Sequence, residues 1–358
     1  MQTFITMCIY YTDKTGLTYI SGEHIFPAAI GGIQKLLPGT VSDQFNYDIS
    51  KLELDFIRKS FVGIARQVEG PGKRGKLADK YATKSPITVI QSLNEDSTFS
   101  LGYIKKGRLY EIPQVLLNTS TSEFSISFDS TTVSNMGQAI AEFKNRCADV
   151  ENLRIKNIIC ELLTEHQILI GIEENIEENF NCFIATASEE ITVSAEKIKA
   201  IGASLHYNGI PLQHKSYMPQ SNGKAKFSFD YFRLYGKMAF NFLAFLKGSE
   251  FVLSKEFDPP RQWIVTGGDN KFASLNKDNY SPVKEIGINL PVACHYILIF
   301  KLENKLVASV YLYEALSVVI ELHSNFTQNF STDGFICDWK NRKEYRLFEY
   351  IAQKIVRD

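Results

Sequence analysis

The sequence predicts an α+β protein in which a small N-terminal unit, residues 1–84, precedes a larger mixed α+β domain, residues 85–358. A chain of 358 residues is longer than one hydrophobic core usually organises, so two domains are expected. The first segment combines short β-rich stretches, a Pro- and Gly-rich loop and one helical pattern. After a short linker at 82–86, strand and helix candidates alternate to the end of the chain.

The N-terminal unit is predicted to fold in the order strand, turn, strand, loop and helix. Residues 3–12 and 17–20 are rich in β-branched and aromatic side chains, and the turn-like DKTG separates them. The prolines and glycines of 25–40 predict an irregular, folded-back loop. Apolar residues then recur at three- or four-residue steps over 45–68, which predicts a helix that the following Gly-Pro-Gly ends.

Strand patterns are frequent in the larger domain, and three helices are predicted over 135–150, 195–203 and 231–247. The strand candidates are ITVIQSL, RLYEIPQVLL, EFSISFD, HYILIFKL and VASVYLY. Arg233, Lys237 and Asn241 recur every four residues along the last helix, whose other faces are apolar. We expect this stripe to be the solvated side of a packed helix, with contact to a ligand or nucleic acid as the alternative.

The charge of the whole chain does not indicate a polyanionic partner, because the formal net charge is -1. The segment 58–84 nevertheless carries a local excess of Lys and Arg over Glu69 and Asp79. A phosphate backbone could bind there, since Lys and Arg displace its condensed counterions. A merely solvated basic face is the other interpretation.

The six cysteines are scattered without a C-x-x-C pair, which argues against a disulfide framework and against a cysteine zinc site. We expect them to be reduced, buried thiols. The N-terminal residues carry no basic region followed by an apolar run, and no stretch is long and apolar enough for a membrane helix. A cytoplasmic protein without a membrane partner is therefore expected.

The residues best suited to catalysis or metal binding lie in the stretch SGEHIFPAAIGG, residues 21–32, and in the helix predicted after it. A histidine can take a proton from water near neutral pH, and an adjacent carboxylate can hold a hard divalent cation. Glu23 and His24 supply this combination, and the following proline and glycines supply a bend that lets both reach one site. Asn46 and Glu53 are seven residues apart, a rotation of roughly 700°, and so share one helix face.

Each of these helix residues alone has an ordinary explanation, capping for Asn46 and a surface ion pair for Glu53. Ser50 lies between them on the same face. The other histidines lack metal-ligand spacing and are expected to be structural or exposed. They are His166, His206, His214, His295 and His323.

Taken together, E-H-I-x-P, then G-G, then an Asn at the start of a helix resemble the motif of the HNH endonucleases, a ββα-metal nuclease finger. The resemblance covers roughly residues 5–84. It implies that His24 is the general base and that Glu23 and Asn46 hold one Mg²⁺ or Mn²⁺ ion. Glu53 fits a supporting acidic position, either as a ligand or behind the ligands. The resemblance also implies phosphate contacts from nearby basic residues, namely Arg66, Lys73, Arg74 and Lys76.

The chain departs from the family pattern at the zinc staple that many of these fingers carry. The two C-x-x-C positions read Cys8-Ile-Tyr-Tyr11 and Ser42-Asp-Gln-Phe45, so no structural zinc is expected. A small apolar cluster of Tyr11, Val41 and Phe45 is predicted to hold the finger together instead. The middle Asn or His of the family motif has no clear counterpart.

The resemblance implies a metal-dependent endonuclease that hydrolyses phosphodiester bonds in DNA, with RNA left open, in a context of phage defence or restriction. The larger domain would then recognise the target, regulate the nuclease or form a homo-oligomer. A second hypothesis is a catalytically inactive HNH-derived protein that binds nucleic acid or a ligand. A third makes the larger domain a sensor for a small-molecule or phage-derived activator.

Overall fold

The computed structural model describes residues 7–69, 84–92, 98–105, 108–129, 133, 135–174, 180–206, 219–221, 228–276, 281–285, 287–314 and 316–355. Over these ranges the helices are α1 (Asp43–Lys59), α2 (Phe61–Glu69), α3 (Met136–Ala148), α4 (Ala195–Ser204), α5 (Phe232–Lys247), α6 (Ser249–Val252), α7 (Asp258–Thr266), α8 (Pro282–Glu285) and α9 (Leu347–Ile355).

The strands over the same ranges are β1 (Thr88–Ser92), β2 (Phe99–Lys105), β3 (Arg108–Glu111), β4 (Gln114–Asn118), β5 (Glu123–Ser127), β6 (Leu153–Ile159), β7 (Gln167–Glu174), β8 (Phe180–Thr186), β9 (Pro219–Ser221), β10 (Ala273–Leu275), β11 (His295–Leu302), β12 (Lys305–Leu312), β13 (Leu316–His323), β14 (Asp333–Asp338) and β15 (Lys343–Arg346). The predicted α+β class is thus confirmed.

The chain divides into two compact units, and the division differs from the predicted one. The first unit joins Met1–Thr83 to Lys226–Asp358, and the second is Lys84–Ala225. A boundary near residue 84 agrees with the prediction, but a single domain over 85–358 is wrong. The reason is that α5 and the sheet after it share one hydrophobic core with the N-terminal segment, so the second unit is an insertion into the first.

In the first unit, a sheet of order β10-β13-β12-β11-β14-β15 packs against α5. Neighbouring strands of this sheet run antiparallel. All α5 residues from Leu234 to Ala244 are buried, as expected for a helix enclosed on every side. Phe240 of α5 lies in the same cluster as Phe45 of α1 and Ile297 of β11. The helix is therefore the shared wall between the N-terminal segment and the sheet.

The N-terminal segment contains a hairpin, but not where the sequence predicted strands. Over 7–20 the structure has no strand, and the pairing lies later, with a bridge between His24 and Lys35. Ile25 N–H donates to Gln34 O at 3.0 Å and Leu36 N–H to Glu23 O at 2.8 Å. The backbone N–H groups of residues 20 and 21 donate instead to the Asp43 carboxylate, which holds the earlier segment as an extended loop.

The predicted helix over 45–68 is two helices, α1 and α2. Ser42 caps α1, because its Oγ accepts from Phe45 N–H at 3.3 Å. Ser60 separates the two helices in an extended conformation, and its hydroxyl donates to Phe56 O at 2.5 Å. The helical pattern of the sequence was correct, but a hydroxyl that bonds the preceding turn divides it.

In the second unit there are two sheets, of order β3-β2-β1-β9 and β5-β4-β7-β8-β6. Strands β6 and β8 are parallel, and the other pairs are antiparallel. Helices α3 and α4 contact each other and contribute to a core with the second sheet. The predicted strand RLYEIPQVLL divides into β3 and β4 at Ile112 and Pro113, since proline has no N–H to give to a ladder.

The loop between the hairpin strands explains the two glycines that end the stretch SGEHIFPAAIGG. Gly31 has a φ of 105°, in the left-handed region, and an added Cβ would lie 2.4 Å from the Cβ of Trp339. A Cβ on Gly32 would lie 1.9 Å from Phe26 O. Only residues without a side chain therefore allow this loop to fold tightly and to lie against the sheet.

Polar side chains satisfy the backbone of this loop, and two of them, Arg66 and His295, are buried. Arg66 Nε donates to Ala29 O at 3.0 Å. His295 Nδ1 accepts from Tyr313 N–H at 3.0 Å, so its Nε2 carries the proton and donates to Ile30 O, also at 3.0 Å. The Glu344 carboxylate accepts from the N–H groups of residues 33 and 34. The loop is thereby fastened to β11 and β15.

All six cysteines are free and buried, as predicted. In the part of the chain that the structure describes, no helix has the length and apolar character needed to cross a membrane.

His295 predicts a pH dependence of stability for the first unit. Burial lowers the pKa of His295 to about 4, from an ordinary value of 6.5. The unfolded chain therefore takes up a proton first, and the stabilisation by neutral His295 is present above pH 6.5 and lost as the pH falls towards 4. We expect His295→Leu to cost about 1–3 kcal/mol at pH 7.5, because it leaves two buried backbone groups unpaired.

The difference in the free energy of unfolding between wild type and His295→Leu should decrease by about 2 kcal/mol when the pH is lowered from 7.5 to 5. Urea unfolding followed by tryptophan fluorescence measures it, since both tryptophans, Trp263 and Trp339, belong to the first unit. A gap that is the same at both pH values would contradict the role of His295.

Candidate active site

Glu23 and His24 lie on the first hairpin strand, where pairing with residues 34–36 fixes their backbone. His24 is half-buried, and burial lowers its pKa below the ordinary value of 6.5. The Glu23 and Glu53 carboxylates oppose this shift, whereas the charges of Lys35 and Lys237 reinforce it. The imidazole is therefore neutral at pH 7, the form that accepts a proton.

Lys237 connects the two glutamates that the sequence singled out. Its Nζ lies 2.7 Å from Glu23 Oε1 and 2.9 Å from Glu53 Oε2, and its side chain is 3% exposed. Burial alone would lower the pKa of Lys237, but the two carboxylates outweigh it and raise that pKa above its ordinary range. One ammonium group thus joins the hairpin, α1 and α5.

Asn241, one turn further along α5, is fully buried and holds the same hairpin strand. Its Nδ2 donates to Glu23 Oε1 at 3.2 Å and to His24 O at 2.9 Å. Its Oδ1 accepts from the Tyr10 hydroxyl at 2.6 Å. The amide therefore fixes both the side chain of Glu23 and the backbone of His24.

The prediction that Arg233, Lys237 and Asn241 form the solvated side of their helix is wrong. Lys237 and Asn241 face the N-terminal segment, and Arg233 Nε donates to Ile264 O, at the end of α7, at 3.0 Å. The sequence did hold a signal: a polar stripe on a helix that is apolar on its other faces needs a buried partner if that helix lies inside the core. Only the fold showed that it does.

Asn46 lies beside the entry to the hairpin. Its Nδ2 donates to Ser21 Oγ at 3.3 Å, and its Oδ1 is a buried acceptor without a hydrogen-bond partner among the described residues. Ser21 lies in the extended segment two residues before Glu23, so this contact holds Asn46 at the entry to the hairpin. Ser50, the other polar residue predicted on this face, is exposed, and its hydroxyl donates to Tyr47 O.

Glu23, Asn46 and Glu53 carry oxygen donors, the type of ligand atom that a hard divalent cation prefers. Mg²⁺ binds oxygen, keeps several waters and takes one or two carboxylates from a protein. Glu23 offers a carboxylate and Asn46 an orphaned amide oxygen. Lys237 pairs with both Glu23 and Glu53, so these ion pairs do not by themselves separate a ligand from a supporting residue. Over the described ranges, no group of three or more His, Cys, Asp or Glu side chains could hold a metal by itself.

The positions of the zinc staple come together in the fold. Ser42 Oγ donates to Cys8 Sγ at 3.3 Å. The rings of Tyr11 and Phe45 meet edge to face at 5.7 Å between centroids. Val41 is 3% exposed and belongs to the same hydrophobic core. The predicted cluster of Tyr11, Val41 and Phe45 is therefore buried in the core of the first unit.

Arg66 does not lie on a surface where it could contact phosphate. It is 8% exposed, and its Nε is hydrogen-bonded to Ala29 O. Burial lowers its pKa, as expected for a guanidinium removed from water. Its predicted role in nucleic-acid binding is thus replaced by fastening the hairpin loop. Lys73, Arg74 and Lys76 lie outside the described residues.

Comparisons with known proteins found no relative of this chain. No protein-family model, no curated protein and no solved structure matches the chain. The site is therefore interpreted from its own residues.

The contact between Tyr10 and Asn241 generates a prediction about stability. Tyr10→Phe leaves the buried Asn241 Oδ1 without its donor at 2.6 Å, and we expect it to lower the free energy of unfolding by about 1–3 kcal/mol. Tyr11→Phe is the matched control, because the Tyr11 hydroxyl donates to Asp48, an exposed residue that water can solvate. Urea unfolding compares the two variants, and equal losses would argue against a special role for Tyr10.

Proposed function

We propose that this protein is a metal-dependent endonuclease of the HNH type that hydrolyses phosphodiester bonds in DNA, with His24 as general base. The observation that carries the proposal is a half-buried imidazole, with a pKa that burial lowers, grouped with Glu23 and Glu53, which Lys237 joins. The Asn46 amide is hydrogen-bonded to Ser21, two residues before Glu23. The acid-histidine pair on a hairpin and the Asn on the following helix match the part of the family motif that the sequence resembles. The zinc-staple positions that meet in the fold support the same interpretation.

The chemistry assigned to His24 is removal of a proton from the attacking water. A neutral imidazole can accept that proton, and the hydrogen bond from Asn241 to the His24 carbonyl holds the backbone that carries it. Glu23 and Asn46 would hold a divalent cation. When bound, such an ion supplies Lewis-acid stabilisation of the charge that develops on the phosphate.

A second function is favoured by one specific observation, the ion pairs of Lys237. The ammonium already contacts Glu23 and Glu53, so the cluster carries a counter-ion without any metal. A catalytically inactive HNH-derived protein that binds nucleic acid or a ligand would keep this arrangement. Divalent-metal binding and hydrolysis distinguish the two functions.

Removing the base tests the endonuclease directly. We expect His24→Ala to lower the rate of Mg²⁺-dependent plasmid nicking by about 100-fold or more, because a positioned general base contributes that much. His166→Ala is the control, since His166 is an exposed histidine of the second unit. A His24→Ala variant as active as wild type would refute the assignment of His24.

Removing the orphaned amide tests the metal site without relying on activity. Asn46→Ala deletes an oxygen donor, and we expect about tenfold weaker Mn²⁺ binding in calorimetry. Ser50→Ala, one turn further along α1, removes only an exposed hydroxyl and should leave Mn²⁺ affinity unchanged. A wild-type protein that binds neither Mg²⁺ nor Mn²⁺ would favour the inactive binding protein.

A further inference from the structure

The ammonium of Lys237 occupies an unusual place, between two carboxylates and almost entirely out of water. Removing a charged amine from water is costly unless opposite charges replace its hydration. A single carboxylate would neutralise it, yet Lys237 has two, Glu23 at 2.7 Å and Glu53 at 2.9 Å. The three groups together keep one negative charge, which is an electrostatic environment that favours a further cation.

Helix α5 also holds the hairpin by hydrogen bonds, in addition to the ion pair of Lys237 with Glu23. Asn241 donates to Glu23 Oε1, the same oxygen that Lys237 contacts, and also to His24 O. Tyr10 in turn donates to Asn241 Oδ1 and to the Lys237 carbonyl. Two successive turns of one buried helix therefore fix both members of the Glu23-His24 pair.

We propose that the Lys237 ammonium is a resident cation of the candidate active site, filling the position between Glu23 and Glu53, and that Lys237 and Asn241 are positioning residues for Glu23 and His24. The positioning role rests on the proposed nuclease function, whereas the resident cation does not. The segment that begins at Lys226 is then a structural part of the site and not an appended domain. Neither side chain reaches DNA, because both are buried.

A charge-replacement experiment tests the resident cation. Lys237→Met keeps the unbranched shape but leaves two carboxylates facing each other, which a divalent ion can bridge. We expect Mn²⁺ to raise the melting temperature of this variant by about twice the shift that it gives wild type. Lys247→Met, an exposed lysine on the same helix, should respond as wild type does.

The double variant Lys237→Met/Glu53→Gln has one uncompensated carboxylate instead of two, so the extra response to Mn²⁺ should disappear. If Lys237→Met folds only with Mn²⁺ present, the same conclusion follows. A Lys237→Met variant whose response to Mn²⁺ equals that of wild type, or one that Mn²⁺ fails to refold, would overturn the resident cation.

Kinetics test the positioning role. Asn241→Ala and Lys237→Met should each lower kcat by about tenfold or more while KM changes by less than about threefold, since neither residue contacts the substrate. Lys247→Met should leave both parameters unchanged. A rise in KM at constant kcat would mean a direct contact with DNA and would overturn the proposal. If wild type cleaves nothing, the nuclease function fails, and the Mn²⁺ melting experiment still decides the resident cation.

Discussion

The buried ammonium of Lys237 is the constraint on which the arrangement of the first unit depends. An amine at this depth is tolerated only when opposite charges lie beside it, and the hairpin and α1 each supply one. Three elements that are far apart in sequence must therefore meet at one atom. The Glu23-His24 pair, which carries the proposed chemistry, owes its position to that meeting.

The hairpin loop adds a second fixed point at the end of the strand. Gly31 and Gly32 let the loop fold against the sheet, and His295, Arg66 and Glu344 satisfy its backbone. A loop with so many buried partners cannot shift without leaving polar groups unpaired. The strand that bears Glu23 and His24 is thus held at its end by the loop and along its length by α5.

The same dependence explains how the N-terminal segment can be stable without a bound zinc ion. Small units usually need a metal or a disulfide because their own core is insufficient. Here Cys8 and Ser42 form a hydrogen bond, and the ring of Tyr10 stacks on Phe45 and contacts Phe240 of α5. The N-terminal segment completes its core with α5 and the sheet, so it does not need a zinc site of its own.

Local patterns in the sequence determined the α+β class, four of the nine described strands of the second unit (β1, β3, β4 and β5) and the helices around 135–150, 195–203 and 231–247. They also supplied the candidate residues Glu23, His24, Asn46 and Glu53. The hairpin over 23–36 was misplaced because Asp43, from the next helix, takes the backbone donors of residues 20 and 21. Lys237 and Asn241 were wrongly predicted to be solvated, and Arg66 was misassigned, for one shared reason. A polar side chain has the same sequence signature whether water or a distant carboxylate satisfies it, and only the packing of α5 and the hairpin loop decided which one it meets.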